Sequence, residues 1–384
     1  MKRILKTLLT IILALATTIP ATASDKEPIK VGALFNLVGG MSSIDVPALR
    51  GVQLYTKLVN EAGGILGGRK IVLVIQDTKT NQKASAIAAK KVLGEGVVAG
   101  IGHDDPAFVL PAAALFQAKG IPYVTPGATL PTMPAMVGDT LFMAPFGDDD
   151  QAFAIAEYTV KKLGLKKIVV WTDNSMDFTL TVARFYKQRI KELGAELLLE
   201  DFFRTGDRDF SSQIARLKTA NADAVFISCI PNEAGITVKQ IREAGLDLPI
   251  IGADGSDTEL LTTVPSKKHA SNIYISTHTY REDNRPEVIA FMKAYKKEYG
   301  VDPENAFAAL GYDGMGLLID GFKRAGSTDK VALKNALAAT KGYPGVTGTI
   351  SYTRPSGVPV KPVAIMSVQN AKFKVEEIWM PKVD

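Results

Sequence analysis

The sequence predicts an α/β protein of two lobes, each with its own parallel sheet. Three observations lead there. Short β-branched runs alternate with stretches of helical period from Ile29 onward, the pattern of a parallel sheet flanked by helices. The alternation starts afresh after Leu141-Phe142-Met143-Ala144-Pro145. The chain, at 384 residues, is also longer than the roughly 250–300 residues at which a single core stops growing.

In the first lobe, strands are expected at 29–35, 71–76, 97–101 and 122–124. Pro47 opens a helix whose Val52, Tyr55 and Val59 share one face, and Gly63-Gly64 stops it. A second helix carries Ala84, Ile87 and Ala88, and a third follows Pro106. In the second lobe Phe153 begins a helix, 167–171 reads as a strand, Val182, Tyr186 and Ile190 mark the next helix, and strands follow at 224–230 and 249–251. Helices at 286–299, 306–325 and 330–340 and strands at 362–367 and 372–378 are too short a tail for a third domain. The helices are expected to return to the first lobe and the strands to the second, with crossovers near Pro145, Thr277 and Tyr352. The division is then 24–146 with 279–354 for the first lobe and 147–278 with 355–384 for the second.

The first residues, Met-Lys-Arg-Ile-Leu-Lys, lead into an apolar stretch from Leu8 to Ile19 and then the small residues Ala21-Thr22-Ala23-Ser24. This is a secretory leader over 1–23, shorter than the roughly 20 apolar residues of a membrane span, with cleavage expected after Ala23. The lone cysteine, Cys229, is far from that point, so no lipid anchor and no internal disulfide are expected. Removing Lys2, Arg3 and Lys6 takes the formal charge from +5 to +2, with the remaining charges interspersed, and nothing calls for nucleic acid.

Signatures of catalysis fail one by one. Residues 63–70 have the glycine spacing of a phosphate loop, but Arg69-Lys70 stand where Lys and a hydroxyl residue are needed. Gly100-Ile101-Gly102 follows a strand, yet Asp105 takes the place of a third glycine. No serine sits in a nucleophile elbow, Cys229 lies in an apolar run, and His103, His269 and His278 lack zinc spacing. Neither an enzyme nor a cofactor or metal site is expected.

Ligands of open α/β sheets sit beyond the C-terminal strand ends. That rule selects 36–45, 102–107 and 125–129 in the first lobe and 172–178, 228–233 and 252–257 in the second, loops rich in Gly, Ser, Thr and Asp. Ser42 and Ser43 are candidate donors in the first loop, with plain turn serines as the alternative. His103, directly after the third strand, stands where α/β sheets bind ligands, with a loop histidine satisfied by neighbouring backbone as the favoured alternative. Trp171, within a strand, reads as core, with a ligand wall as its alternative, while Phe178 in its loop fits either role.

Several words in order resemble the Leu/Ile/Val-binding protein family, receptors of ABC transporters. They are Lys30-Val31-Gly32, Val59-Asn60-Glu61-Ala62-Gly63-Gly64-Ile65, Gly120-Ile121-Pro122, Thr125-Pro126-Gly127-Ala128-Thr129, Asp209-Phe210-Ser211, Ala222-Asp223-Ala224-Val225, Arg242-Glu243-Ala244-Gly245 and Gly252-Ala253-Asp254-Gly255. The resemblance implies the type I periplasmic binding fold: two Rossmann-like lobes joined by a three-strand hinge, closing on a ligand without chemistry. It further implies a monomer in the periplasm that delivers its ligand to an inner-membrane ABC permease. Thr129 matches the threonine that meets the ligand's carboxylate and ammonium, Gly127 a backbone contact, and Asp254 the acid paired with the ammonium. Asp105 and Ala107 fall in His103-Asp104-Asp105-Pro106-Ala107, where the family places a serine on the carboxylate loop. Ile230 stands where an aromatic residue is common, and Asp177-Phe178 replaces a Tyr-Gly pair. The ligand expected is an amino acid with an aliphatic or aromatic side chain. The alternatives are an aromatic or other organic acid, or a sensory module for an amide or amino acid.

Overall fold

The computed structural model describes residues 26–280 and 282–382. The expected leader and its cleavage point lie outside the described residues. β1 (Ile29–Phe35) is buried at every position but Lys30, because it is central: β2 (Ile71–Asp77) pairs with it on one side and β3 (Ala99–Gly102) on the other, both in parallel. β4 (Tyr123–Thr125) and β5 (Leu141–Met143) complete a parallel sheet of order β2-β1-β3-β4-β5. The connecting helices are α1 (Ser42–Glu61), α2 (Gln82–Gly94), α3 (Pro106–Ala118) and α4 (Met133–Val137). β5 is three residues long, too short to show a period, and the sequence marks it only as a boundary.

Pro47 does not open α1. The helix begins at Ser42, and the proline sits inside it. A proline there has no N–H for the Ser43 carbonyl four residues back. Asn305 Nδ2 donates to that carbonyl at 3.0 Å, so no acceptor is stranded.

The second sheet is built from β6 (Lys167–Asp173), β7 (Glu196–Phe203), β8 (Ala224–Ser228), β9 (Ile250–Gly252) and β10 (Ile273–Thr277), in parallel, in the order β7-β6-β8-β9-β10. Its helices are α5 (Asp148–Glu157), α6 (Asp177–Glu192), α7 (Ser211–Thr219), α8 (Pro231–Glu243) and the short α9 (Leu260–Thr263). α5 starts five residues before Phe153, with Asp148, Asp149 and Asp150 in its first turn, where the helix dipole favours negative charge. β7 and β10 were not legible as strands. β7 lies at the sheet edge, where mixed charged and apolar residues blur the alternation.

α10 (Pro286–Tyr299), α11 (Ala306–Ala325) and α12 (Lys330–Ala338) turn back toward the first sheet, α11 lying against α1, β3 and β4. The hairpin β11 (Tyr343–Gly345) and β12 (Gly348–Ile350) follows. β13 (Val363–Gln369) then joins β10 antiparallel, and β14 (Lys372–Trp379) caps that edge. α11 is buried nearly all round, which its glycines permit: a Cβ on Gly311 would lie 1.9 Å from the Ala48 carbonyl oxygen, and one on Gly51 would lie 2.0 Å from that of Ala308.

The chain passes between the sheets at 144–147, 278–285 and 351–362. The first and third crossings are bound side by side. Lys361 Nζ donates to the Ala144 carbonyl at 2.8 Å, Tyr352 Oη to that of Met143 at 2.9 Å, and Arg354 pairs with Asp150 at 2.6 Å. The second crossing joins through His278, whose ring stacks on Phe146 at 3.7 Å. Lys361 is fully buried, which draws its ammonium down to about 8 against the pull of Asp313. Trp171 is core: it is buried and stacks on Phe210.

Candidate functional site

The segment after β4 turns because Thr125 Oγ1 donates to the His103 carbonyl at 2.7 Å and accepts the Ala128 amide at 3.1 Å. That turn delivers Thr129 to the start of the first crossing, where its carbonyl accepts the Asp148 amide at 2.8 Å. From the other lobe, the loop after β9 brings Asp254 to the same place. Gln151 joins the two: its Oε1 accepts the Asp254 amide at 3.2 Å, and its Nε2 donates to Asp148 Oδ1 at 3.0 Å. Asp254 Oδ2 is 2.9 Å from His278 Nε2.

Asp254 Oδ1 and His278 Nδ1 are buried without a hydrogen-bond partner among the described residues, and Thr129 Oγ1 and Asp148 Oδ2 are buried facing each other with no further partner there. Such atoms in a folded interior ask for a ligand, ion or water. Burial pushes the Asp148 carboxyl well above the ordinary carboxylate range; the facing Thr129 hydroxyl opposes this and the nearby Asp254 charge adds to it. Burial likewise draws the His278 imidazole below its usual value, with Asp254 opposing and Lys361 assisting. A cation between these groups would restore the charged carboxylate.

A second group of acids lies at the start of α3. Asp105 is its N-cap: Oδ1 accepts the Ala107 amide at 2.8 Å, and Oδ2 reaches across the lobes to the Phe178 amide at 3.2 Å. Burial raises its carboxyl to about 6 despite those donors. Asp104 packs on the backbone of Gly127, where an added Cβ would lie 2.4 Å from Oδ1. Its neighbour is Asp45, whose Oδ2 accepts the Asn36 amide at 2.7 Å. Burial raises Asp45 to about 7 and Asp104 well above its ordinary value, the two carboxyls acting on each other. The Gly127 amide faces Asp104, and the two carboxyls lie against each other, so burial favours a proton held between them.

The other expected residues fall around these groups. The Phe178 ring packs on Gly255, where a Cβ would meet it at 2.8 Å. Ile230 is fully buried at the start of α8, and its Cδ1 faces Gly40 of the first lobe. Ser42 and Ser43 donate to the Gly39 and Gly40 carbonyls, at 2.7 and 3.2 Å, so their hydroxyls serve the turn. His103 is buried among Tyr123, Thr78 and Ser85, and burial draws it down to about 3. Asp148, Gln151, Phe146 and His278 were not singled out from the sequence. Their only signal was position, beside the crossings expected near Pro145 and Thr277. A cavity of about 380 Å³ lies elsewhere, between α10 and the edge of the second sheet, lined by Tyr280, Val288, Phe291, Met292 and Phe373. Among the described residues no cluster of His, Cys, Asp or Glu is arranged to hold a metal ion.

Known proteins of this shape bear on the site. The LivJ substrate-binding protein of Streptococcus pneumoniae, a branched-chain amino acid transporter component solved with isoleucine, superposes with a TM-score of 0.86 at 30% identity, over 92% of this chain and 100% of its own. The leucine-binding protein LivK of Thermotoga maritima gives 0.84 at 29% identity over 92% and 99%. By sequence, Leu/Ile/Val-binding protein homolog 3 of Brucella melitensis is 27% identical over 342 residues, 88% of this chain and 91% of the relative. The family described as periplasmic binding protein matches residues 28–372. With that match spanning all three crossings and every strand except β14, the chain belongs to the periplasmic binding protein family and is a solute-binding protein, not an enzyme.

Proposed function

We propose that the chain is the periplasmic receptor of an ABC importer and that it captures an amino acid or a close derivative by its ammonium group. The observation that carries this reading is the convergence of buried polar atoms at Thr129, Asp148, Asp254 and His278, of which Asp254 Oδ1 and His278 Nδ1 have no partner among the described residues and Thr129 and Asp148 have only each other. Burying an ammonium without acceptors is prohibitive, and so is burying these acceptors without a donor. Thr129 and Asp254 hold the ammonium, and Phe178 and Ile230 wall the aliphatic or aromatic side chain. LivJ, similar over the whole fold, holds isoleucine. The lobes divide at 24–146 with 279–354 and 147–278 with 355–384, and the mature protein, cut after Ala23 and not lipidated, acts as a monomer that docks on an inner-membrane permease when closed. Ligand binding shifts the population toward the closed form by hinge motion.

The test is a thermal-shift screen of the chain from Ser24 onward against amino acids, amides, amines, aromatic acids and sugars. A tight ligand raises the melting temperature by mass action. Stabilisation by ammonium-bearing solutes is expected. Stabilisation only by acids that lack an amine would retain the receptor and remove the ammonium site.

A further inference from the structure

The backbone donors that could hold a ligand carboxylate are occupied by this chain's own groups. A helix start offers its first N–H groups to an anion. At α3, Pro106 has no N–H, the Ala107 amide is taken by Asp105 Oδ1 at 2.8 Å, and the Phe108 and Val109 amides both go to the Asp105 carbonyl at 3.1 Å. None is left. In the facing segment, the Ala128 amide is held by Thr125 Oγ1, and the Gly127 backbone is covered by the Asp104 carboxyl, so close that a methyl group there would overlap it.

Asp105 also spans the closed lobes through the Phe178 amide, so it is buried together with whatever the cleft encloses. A ligand carboxylate in this position would be buried without the backbone donors it needs, beside Asp104, Asp105 and Asp45, whose own ionisation burial already disfavours. The ammonium end meets the opposite situation: among the described residues Asp254 Oδ1 has no partner, and the Thr129 and Asp148 oxygens have only each other.

We propose that the cleft selects ligands with an ammonium group and no free α-carboxylate, amino-acid amides or primary alkyl- and arylamines, because Asp104 and Asp105 fill the place an α-carboxylate would take. This rests on the ammonium reading of the site and narrows it. The two acids act as specificity determinants: they satisfy the donors from within and fill the space an α-carboxylate would need, while the ammonium is bound at the other end.

The experiment is calorimetric titration of the chain from Ser24 onward with two matched series: leucine, leucinamide and 3-methylbutylamine, and phenylalanine, phenylalaninamide and 2-phenylethylamine. Within at least one series, the amide or amine is expected to bind about tenfold or more tighter than the free amino acid. The double variant Asp104→Ser, Asp105→Ser, which keeps a capping hydroxyl at position 105, is expected to bring that ratio close to one. Free amino acids binding as tightly as their amides to the unaltered chain would overturn the inference and leave the ammonium site standing. Binding of none of the six would remove the ammonium site and the inference together.

Discussion

Asp254 and His278 join two parts of the chain that the topology keeps apart: the loop after β9 and the second crossing meet at 2.9 Å between Oδ2 and Nε2. The bond fixes the carboxylate while leaving Oδ1 without a partner among the described residues, so Asp254 is oriented before a ligand arrives. Losing a hydrogen bond to a charged group is worth about 1.5–3 kcal/mol. Asp254→Ala is therefore expected to weaken binding of the best solute in the thermal screen by about a hundredfold, and Thr129→Ala by about tenfold, each with an unchanged far-ultraviolet circular dichroism spectrum. Calorimetry checks both. Unaltered affinity in the two variants would move the ligand elsewhere in the cleft.

The acids beneath the α3 start make stability depend on pH in a way one substitution isolates. Burial raises Asp45 from 3.8 to about 7, so the folded state holds a proton that the unfolded state releases. Its contribution to stability is fully present below 3.8 and is lost as pH rises through about 7. His103 and His278, both lowered by burial, act oppositely: their contribution is present at neutral pH and is lost as pH falls below 6.5. Asp45→Asn keeps an acceptor for the Asn36 amide and offers Asp104 a donor, without the charge. It is expected to raise the melting temperature by a few degrees at pH 8 and to leave it almost unchanged at pH 4. An equal shift at both values would mean that Asp45 is ionised throughout.

The sequence carried the α/β alternation because most strands are buried runs and most helices are amphipathic, patterns that are local. β1, β8 and even the three-residue β9 were legible for that reason, whereas β5, at three residues after a loop, was marked only as a boundary, and β7 and β10 showed no clear pattern. The site divides along the same line. Thr129 and Asp254 stand at strand ends, where position alone recommends them. His278 and Asp148 matter through what they meet, 24 residues away in one case and across the lobes in the other, and no spacing in the chain announces either contact. Asp105 shows a middle case: as a residue before Pro106 it is recognisable as a helix cap, but its second bond to Phe178 exists only once the lobes are together.

Closure has its own contacts away from the ligand. Asp257, in the loop after β9, accepts Thr277 Oγ1 at 2.6 Å and, through the same oxygen, the Ala306 amide at 3.2 Å at the start of α11. A carboxylate at a helix N-terminus contributes about 0.3–1 kcal/mol when exposed and more when partly buried. Because that contact joins the two lobes, Asp257→Ala is expected to lower the closed population and raise the apparent Kd about three- to tenfold, without touching the ligand. Small-angle scattering with saturating ligand should show a larger mean radius than for the unaltered protein. Equal affinity and equal radius would show that closure does not depend on this contact.

The return of the tail to the first sheet depends on how near α1 and α11 come. Gly51 and Gly311 face each other's helix with carbonyl oxygens about 2 Å from where a Cβ would stand, and the obstacle is backbone, which cannot rotate away. Gly311→Val forces the helices apart and disturbs the packing of α11 on β3 and β4, so it is expected to destabilise the fold by about 3 kcal/mol or more. Gly326, at the C-terminus of α11, provides the contrast: its φ is +65°, yet nothing lies within 4 Å of an added Cβ. Gly326→Ala therefore meets only the left-handed backbone penalty of about 1 kcal/mol. Urea titration of the two variants separates the effects. If they lose equal stability, α1 and α11 have room between them, and the tail is held to the first sheet by something other than this close packing.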